Sequence, residues 1–264
     1  MGAGLDSVLG RAVALLRAFG PDEPVLTLAE LARRTGLPKA TVHRMAGDLV
    51  ELRLLDRVEG GYRLSGGLFE LGMRASAERS LLELAMPFLQ DLYERTHETV
   101  HLGIAEGQEV VYVAKIGGHR QVATPSRTGG RMPMHCTAIG KVLLAHADPA
   151  VRTAVLGGPL ERRTPHTIVA PGLLRRQLDA VLEKGVAFEQ EESTVGLRCV
   201  AAPVLDASGK HAVAAISVTG PVGRFRPEQH VAAVRAAAVG LGSVLARSGR
   251  VVTGPASEVF PPFS

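Results

Sequence analysis

The sequence predicts an α+β chain in two parts: a small, mainly helical N-terminal domain and a larger domain built on an antiparallel sheet, with helix between them. Three observations carry this. Apolar residues recur at helical spacing as far as Leu49, alternating runs joined by glycine-containing turns dominate from Thr99 to Pro221, and a leucine-loaded helical stretch separates the two regions. The 264 residues are 46% hydrophobic and 21% charged, enough to bury one small and one mid-sized core. No stretch approaches the roughly 18 uninterrupted apolar residues of a membrane span. Charge also breaks the apolar positions of the N-terminus, unlike a signal peptide, so a cytoplasmic protein with no membrane partner is expected. Cys136 and Cys199 are too few and too unpatterned for a disulfide framework or a closed zinc site, and reduced thiols are expected.

In chain order, Val8, Ala12, Leu15, Leu16 and Phe19 form one apolar stripe, a first helix that Gly20 and Pro21 stop. A second helix opens at "TLAE", where Thr27 can cap a backbone N–H and Glu30 can reach back in a capping box; Gly36 suits its exit. Pro38 fits the first position of a third helix. There Val42, Met45, Ala46 and Leu49 cluster on one side, while Ala40, His43, Arg44 and Gly47 occupy the other. The stretch Leu55–Val58, a Gly60-Gly61 turn and Tyr62–Leu64 read as a hairpin. Two short helices joined by a tight turn and followed by a hairpin are how a winged helix-turn-helix offers side chains to a major groove about 12 Å wide.

Charge placement strengthens that reading. Residues 1–66 hold nine Lys/Arg against eight Asp/Glu, so the domain is no polycation. Yet Arg33, Arg34, Lys39 and Arg44 fall in a window, Leu31 to Gly47, that contains no acid. From Gly67 to Thr96 the apolar positions Leu68, Leu71, Leu81, Leu82, Leu84, Phe88, Leu89 and Leu92 predict linker and dimerisation helices, with Pro87 kinking one or starting another.

After Thr99, two strands flank a Glu106-Gly107 turn, and two more are joined through "DASGK". Helices are expected at Ala138–His146, Leu173–Lys184 and Pro227–Arg247, which makes the second part an α+β domain with helices beside an antiparallel sheet. The tail from Gly249 shows no periodicity and is expected to be loosely ordered.

The run "LARRTGLPKATVHRMAGDLVELRLLDR…GYRLSGGLFELG" resembles the winged helix-turn-helix of the IclR family of bacterial transcriptional regulators. "RMPMHCTAIGKVLLA" (131–145) and "KGVAFEQEESTVGLRCVAAPVLDASGKHAVAAISVTGP" (184–221) resemble the two signature stretches of its effector-binding domain, and the resemblance runs from about Asp6 to Arg247. It implies DNA contact by Lys39, Ala40, Thr41, His43 and Arg44, with Arg57 and Arg63 on the wing. Ala40 stands where relatives commonly carry Ser or Thr, which removes one hydroxyl. Chemistry suggests a division of labour: Arg44 can pair bidentately with guanine, while Lys39 and Thr41 at the helix start suit phosphates.

The resemblance further implies a GAF-like sensor domain, a dimer or tetramer, and a small effector bound by Met134, Ala138, Ile139, Glu189, Cys199, Ser217 and Thr219. Backbone N–H groups at Ala138 and Ile139 open a helix and can hold a carboxylate, which points to a small organic acid. The expected organisation is 1–66 DNA-binding, 67–96 linker and dimerisation, 97–248 effector-binding, and 249–264 tail. The expected function is a ligand-responsive repressor or activator reading a palindromic operator, without a cofactor.

Rival readings are weaker. His135 and Cys136 are adjacent, a poor geometry for a nucleophile and base, so catalysis is not expected. "CTAIGKV" lacks both the glycine six positions before Lys141 and the hydroxyl after it that a phosphate-binding loop needs. Zinc at His135, Cys136, Cys199 or Glu189 has no supporting spacing. A nonspecific DNA-binding protein would not require the large second domain.

Overall fold

The computed structural model describes residues 7–20, 23–117 and 126–248; Pro21 and the tail from Gly249 lie outside them. The chain divides into two compact units between Ser76 and Ala77.

In the first unit, α1 (Val8–Arg17) is capped by Ser7, whose hydroxyl accepts the Gly10 N–H, and it buries Leu15. Val8, expected on the buried stripe, is exposed, and Phe19 packs from just beyond the helix. Helix α2 (Leu28–Thr35) starts at Thr27, whose Oγ1 accepts the Glu30 N–H, and closes at Gly36 with φ 68°. Pro38 falls one position earlier than expected, before α3 (Lys39–Glu51). The apolar side of α3 is buried as its periodicity predicts: Val42, Met45, Ala46 and Leu49 join Leu15, Leu31, Leu55 and Tyr62 in one core.

Strands β1 (Leu55–Val58) and β2 (Gly61–Leu64) pair antiparallel, with Glu59-Gly60 as the turn and Gly61 already in the ladder. Leu26 adds a third rung by exchanging two 2.9 Å backbone hydrogen bonds with Tyr62. This close approach is why Gly61 carries no side chain: a Cβ there would sit 2.1 Å from the Leu26 carbonyl oxygen. Ser65 then caps α4 (Gly66–Gly72).

The second unit begins with α5 (Ser76–Thr96), which runs on through Pro87, so no second helix starts there. Its Leu81, Ala85, Leu89 and Leu92 are buried in this unit's own core, so these leucines are not left for a partner. Strands β3 (Thr99–Glu106), β4 (Glu109–Ile116) and β5 (Arg131–Pro133) come next. A 3₁₀ turn, Met134–Cys136, leads into α6 (Ala138–Ala145), then α7 (Pro149–Gly157) and α8 (Pro171–Lys184). Strands β6 (Ala187–Gln190), β7 (Leu197–Leu205) and β8 (Ala212–Pro221) follow, and a 3₁₀ turn, Pro227–His230, enters α9 (Val231–Ser248). The short elements β5, β6 and α7 were not expected from the sequence.

The sheet order is β5-β4-β3-β8-β7-β6, antiparallel throughout. Alternation along the strands sends Val100, Leu102, Val200, Ile216 and Val218 against α5 and α9. It sends Tyr112, Cys199, Ala201 and Ala215 toward α6 and α8. Helices therefore cover both faces and do not gather on one. Helix α9, with its 3₁₀ turn, is long and apolar enough to cross a membrane, but it packs one face, Val234, Ala237, Ala238, Leu241 and Leu245, into the sheet core.

A candidate DNA-reading face and a buried ligand cavity

On the outer side of α3, Lys39, Ala40, His43, Arg44 and Gly47 are exposed and Thr41 is half-buried. Arg44 Nη1 lies 3.5 Å from Asp48 Oδ2, one turn on; an exposed pair of this kind is worth about 0–1 kcal/mol and does not restrain Arg44 from a stronger partner. Among the described residues, Lys39, His43 and Arg57 form no ion pair.

The expectation of four uncompensated cations is corrected. Glu30 sits outside the acid-free window but reaches into it: Oε1 is 2.6 Å from Arg33 Nη2 and 2.6 Å from Arg34 Nε. Arg34 also pairs with Glu23 and donates to the Ala18 carbonyl at 3.0 Å, so it ties α2 to the end of α1. Those two guanidiniums hold the Glu30 carboxyl down at about 2. The capping box is thus half formed, because Thr27 caps while Glu30 binds arginines. On the wing, Arg63 is 2.9 Å from its cross-strand partner Asp56. The cationic face narrows to Lys39, Arg44 and Arg57, with His43 between the first two.

The cavity in the second unit is small, about 30 Å³, and opens to one side. Two rows of strand partners build one wall. Glu189, Cys199 and Thr219 lie in register across β6, β7 and β8; Ala201, Ser217 and His101 form the next row across β7, β8 and β3. The first turn of α6 supplies Ala138 and Ile139 opposite them, with Thr137 spending its hydroxyl on the Gly140 N–H. Gly140 has no side chain because the 3₁₀ turn presses on it: a Cβ would lie 2.3 Å from the Met134 carbonyl oxygen.

Six of the seven expected effector residues, Ala138, Ile139, Glu189, Cys199, Ser217 and Thr219, line this cavity together. Met134 does not; it is buried in the core, and Met132 takes the place at the wall. Sequence reasoning missed His101, Tyr112, Thr137, Ser193 and Leu197. Strand alternation puts His101 and Gly103 on one face, yet only the long-range pairing of β3 with β8 brings His101 beside Ser217.

Burial keeps most of the titratable lining groups uncharged. His101 donates or accepts at both ring nitrogens, 2.7 Å from Ser126 Oγ and 3.4 Å from Ser217 Oγ, and burial pushes it down to about 3. Burial pushes the Cys199 and Cys136 thiols up to about 12 and the Tyr112 phenol well above its usual range. Burial likewise raises Glu189 to about 7. His135 bonds the Glu161 carbonyl at 2.9 Å, and Cys136 sits beside it in a 3₁₀ turn and not on the strand assumed from sequence. No imidazole activates a thiol in that turn. Among the described residues, no three His, Cys, Asp or Glu side chains converge as a metal site would require.

A helix-turn-helix with an outward cationic face, in one chain with a sheet domain that encloses a polar cavity, defines a ligand-responsive DNA-binding regulator. Residues 8–59 match the IclR helix-turn-helix domain, and residues 73–241 match the bacterial transcriptional regulator IclR C-terminal domain. The chain belongs to the IclR family of bacterial transcriptional regulators, which are not enzymes.

It is similar to the HTH-type transcriptional regulator KdgR of Escherichia coli, 36% identical over 241 residues, or 89% of this chain and 90% of that protein. It is also similar to XynR of the same organism, 35% identical over 212 residues, covering 79% and 84%. Among solved structures, an IclR homolog from Microbacterium hydrocarbonoxydans complexed with 4-hydroxybenzoate superposes with a TM-score of 0.85 at 32% identity, over 92% of this chain and 100% of that one.

Proposed function

We propose that this chain acts in the cytoplasm as a homodimer or homotetramer that reads a palindromic operator through α3, and that a small organic acid in the cavity changes its operator affinity. Arg44 reads guanine; Lys39 and Thr41 hold phosphates; His43 does either; Arg57 and Arg63 approach the neighbouring backbone, Arg63 after leaving Asp56. Ala40 offers only a small apolar contact. Residues 1–66 serve DNA, 67–96 connect and dimerise, and 97–248 bind the effector.

The carrying observation is the cavity wall: the opening turn of α6 lies across from Ser217 and Thr219, whose hydroxyls bond His101 and the Cys199 thiol and can turn to a carboxylate. The Microbacterium relative is complexed with 4-hydroxybenzoate, which supports a carboxylic acid as the effector class. The effector must prefer one state strongly, since moving a 1:99 population to 99:1 takes about 5.5 kcal/mol of differential affinity.

The test is a thermal-shift screen of organic acids, 4-hydroxybenzoate among them, followed by gel shift with every hit. Ligands that stabilise the protein and alter its operator affinity are expected; ligands that bind without ever changing DNA binding would overturn the reading. The ratio of specific to nonspecific affinity at fixed salt separates this regulator from a general DNA coater.

A further inference from the structure

The organic-acid reading leaves open what charge the cavity accepts, and the inference here rests on that reading. Among the described residues, no Lys or Arg lines the cavity. The buried ammonium behind it, Lys141 on α6, is already committed: Nζ lies 2.5 Å from Glu192 Oε1 and 3.3 Å from the Phe188 carbonyl oxygen. Glu189, by contrast, faces the cavity, and its Oε1 receives the N–H groups of Glu192 at 2.7 Å and Ser193 at 3.0 Å and the Ser193 hydroxyl at 3.3 Å.

The groups around Glu189 are Glu192 in the following loop, Lys141 on α6, Cys199 on β7, Tyr112 on β4 and Cys136 in the 3₁₀ turn, with His101 on β3 along the same wall. Lys141 is paired with Glu192, so the Glu189 carboxyl has no ion-pair partner of its own among the described residues. An anionic ligand adds a third acid to that cluster, and among the described residues no cationic side chain lines the cavity to balance it.

We propose that the cavity takes a monocarboxylate effector together with a proton on Glu189, so that this side chain sets the effector's charge class and makes its capture pH-dependent. Other lining groups do not substitute. The Cys199 thiol and Tyr112 phenol already keep their protons, and His101 is held neutral with both nitrogens bonded to hydroxyls. Burial against its backbone donors leaves Glu189 titrating at about 7, where a proton is within reach. By linkage, ligand binding takes up a proton above that point and weakens as pH rises.

The experiment is calorimetric titration of the full chain with benzoate, 4-hydroxybenzoate and lactate between about pH 6 and about pH 8.5, in buffers of contrasting ionisation enthalpy. For whichever probe binds, affinity is expected to fall by up to about tenfold per pH unit at the alkaline end, with close to one proton taken up per ligand. Glu189→Gln keeps an Oε1 acceptor for the same N–H groups without the charge, and is expected to bind the probe with no pH slope and no proton uptake.

Wild-type affinity that is flat in pH and insensitive to buffer overturns the proposal, as does an unchanged slope in Glu189→Gln. If that variant does not fold, the wild-type buffer comparison decides alone. No binding of any carboxylate at any pH instead overturns the organic-acid reading, and this inference with it.

Discussion

Replacing Lys141 by Met tests whether the second unit is organised around its buried ion pair. Lys141 and Glu192 are 1% and 5% exposed, and the 2.5 Å contact between them ties α6 to the loop beyond β6. Glu192 Oε2 already lacks a hydrogen-bond partner, so the substitution leaves the whole carboxylate stranded and also removes a donor from the Phe188 carbonyl. A solvent-exposed pair would be worth about 0–1 kcal/mol, whereas breaking a buried one costs about 3–5 kcal/mol. The burial here selects the second figure, a large share of a typical stability of about 5–15 kcal/mol. Urea unfolding followed by circular dichroism measures it. Lys141→Met combined with Glu192→Leu, which removes both charges, is expected to recover most of the loss. A single-variant loss below about 1 kcal/mol, or no recovery in the double variant, would refute the reasoning.

Arg44→Ala is expected to cost about 1–3 kcal/mol at an operator selected from random duplexes and to flatten discrimination at one base pair, read by gel shift. Gly61→Ala forces a Cβ onto the Leu26 carbonyl and is expected to cost at least about 2 kcal/mol in thermal unfolding of the N-terminal unit. Stability against pH carries two opposed contributions. Folded Glu189 keeps its proton to about 7, against 4.5 ordinarily, so its contribution declines as pH rises through that interval. Folded His101 refuses a proton until about 3, against 6.5 ordinarily, so its contribution declines as pH falls below 6.5. Glu189→Gln removes the first slope, and melts of that variant are expected to show a steeper acid-side loss, by up to about 3 kcal/mol.

Much of the fold was readable because its signals are local. Thr27, Gly36 and the Val42-Met45-Ala46-Leu49 stripe each fix a helix end or face within a few residues. The wing followed from glycines, although only the structure shows that Gly61 yields to Leu26, a residue far back in the chain. Strands β5 and β6 are three and four residues long, too short for alternation to register. Pro87 predicts a kink or a new helix start, but it lies on the exposed side of a helix that runs on, where its ring displaces no buried contact.

Charge was harder to read than periodicity, for a reason the two sites share. An acid-free window of sequence is not an acid-free region of space: Glu30 returns to Arg33 and Arg34 along one helix, and Glu23 reaches Arg34 from across the turn. In the cavity the same effect is larger. Ser217 and Thr219 could be placed on one strand face from their spacing, but His101 reaches Ser217 across 116 residues and Lys141 reaches Glu192 across 51. Those long-range partners decide which groups stay neutral and which carboxyl is left to titrate. The residues that touch a ligand can therefore be found from motif and alternation, whereas the charge the ligand meets depends on pairings that only the assembled sheet creates.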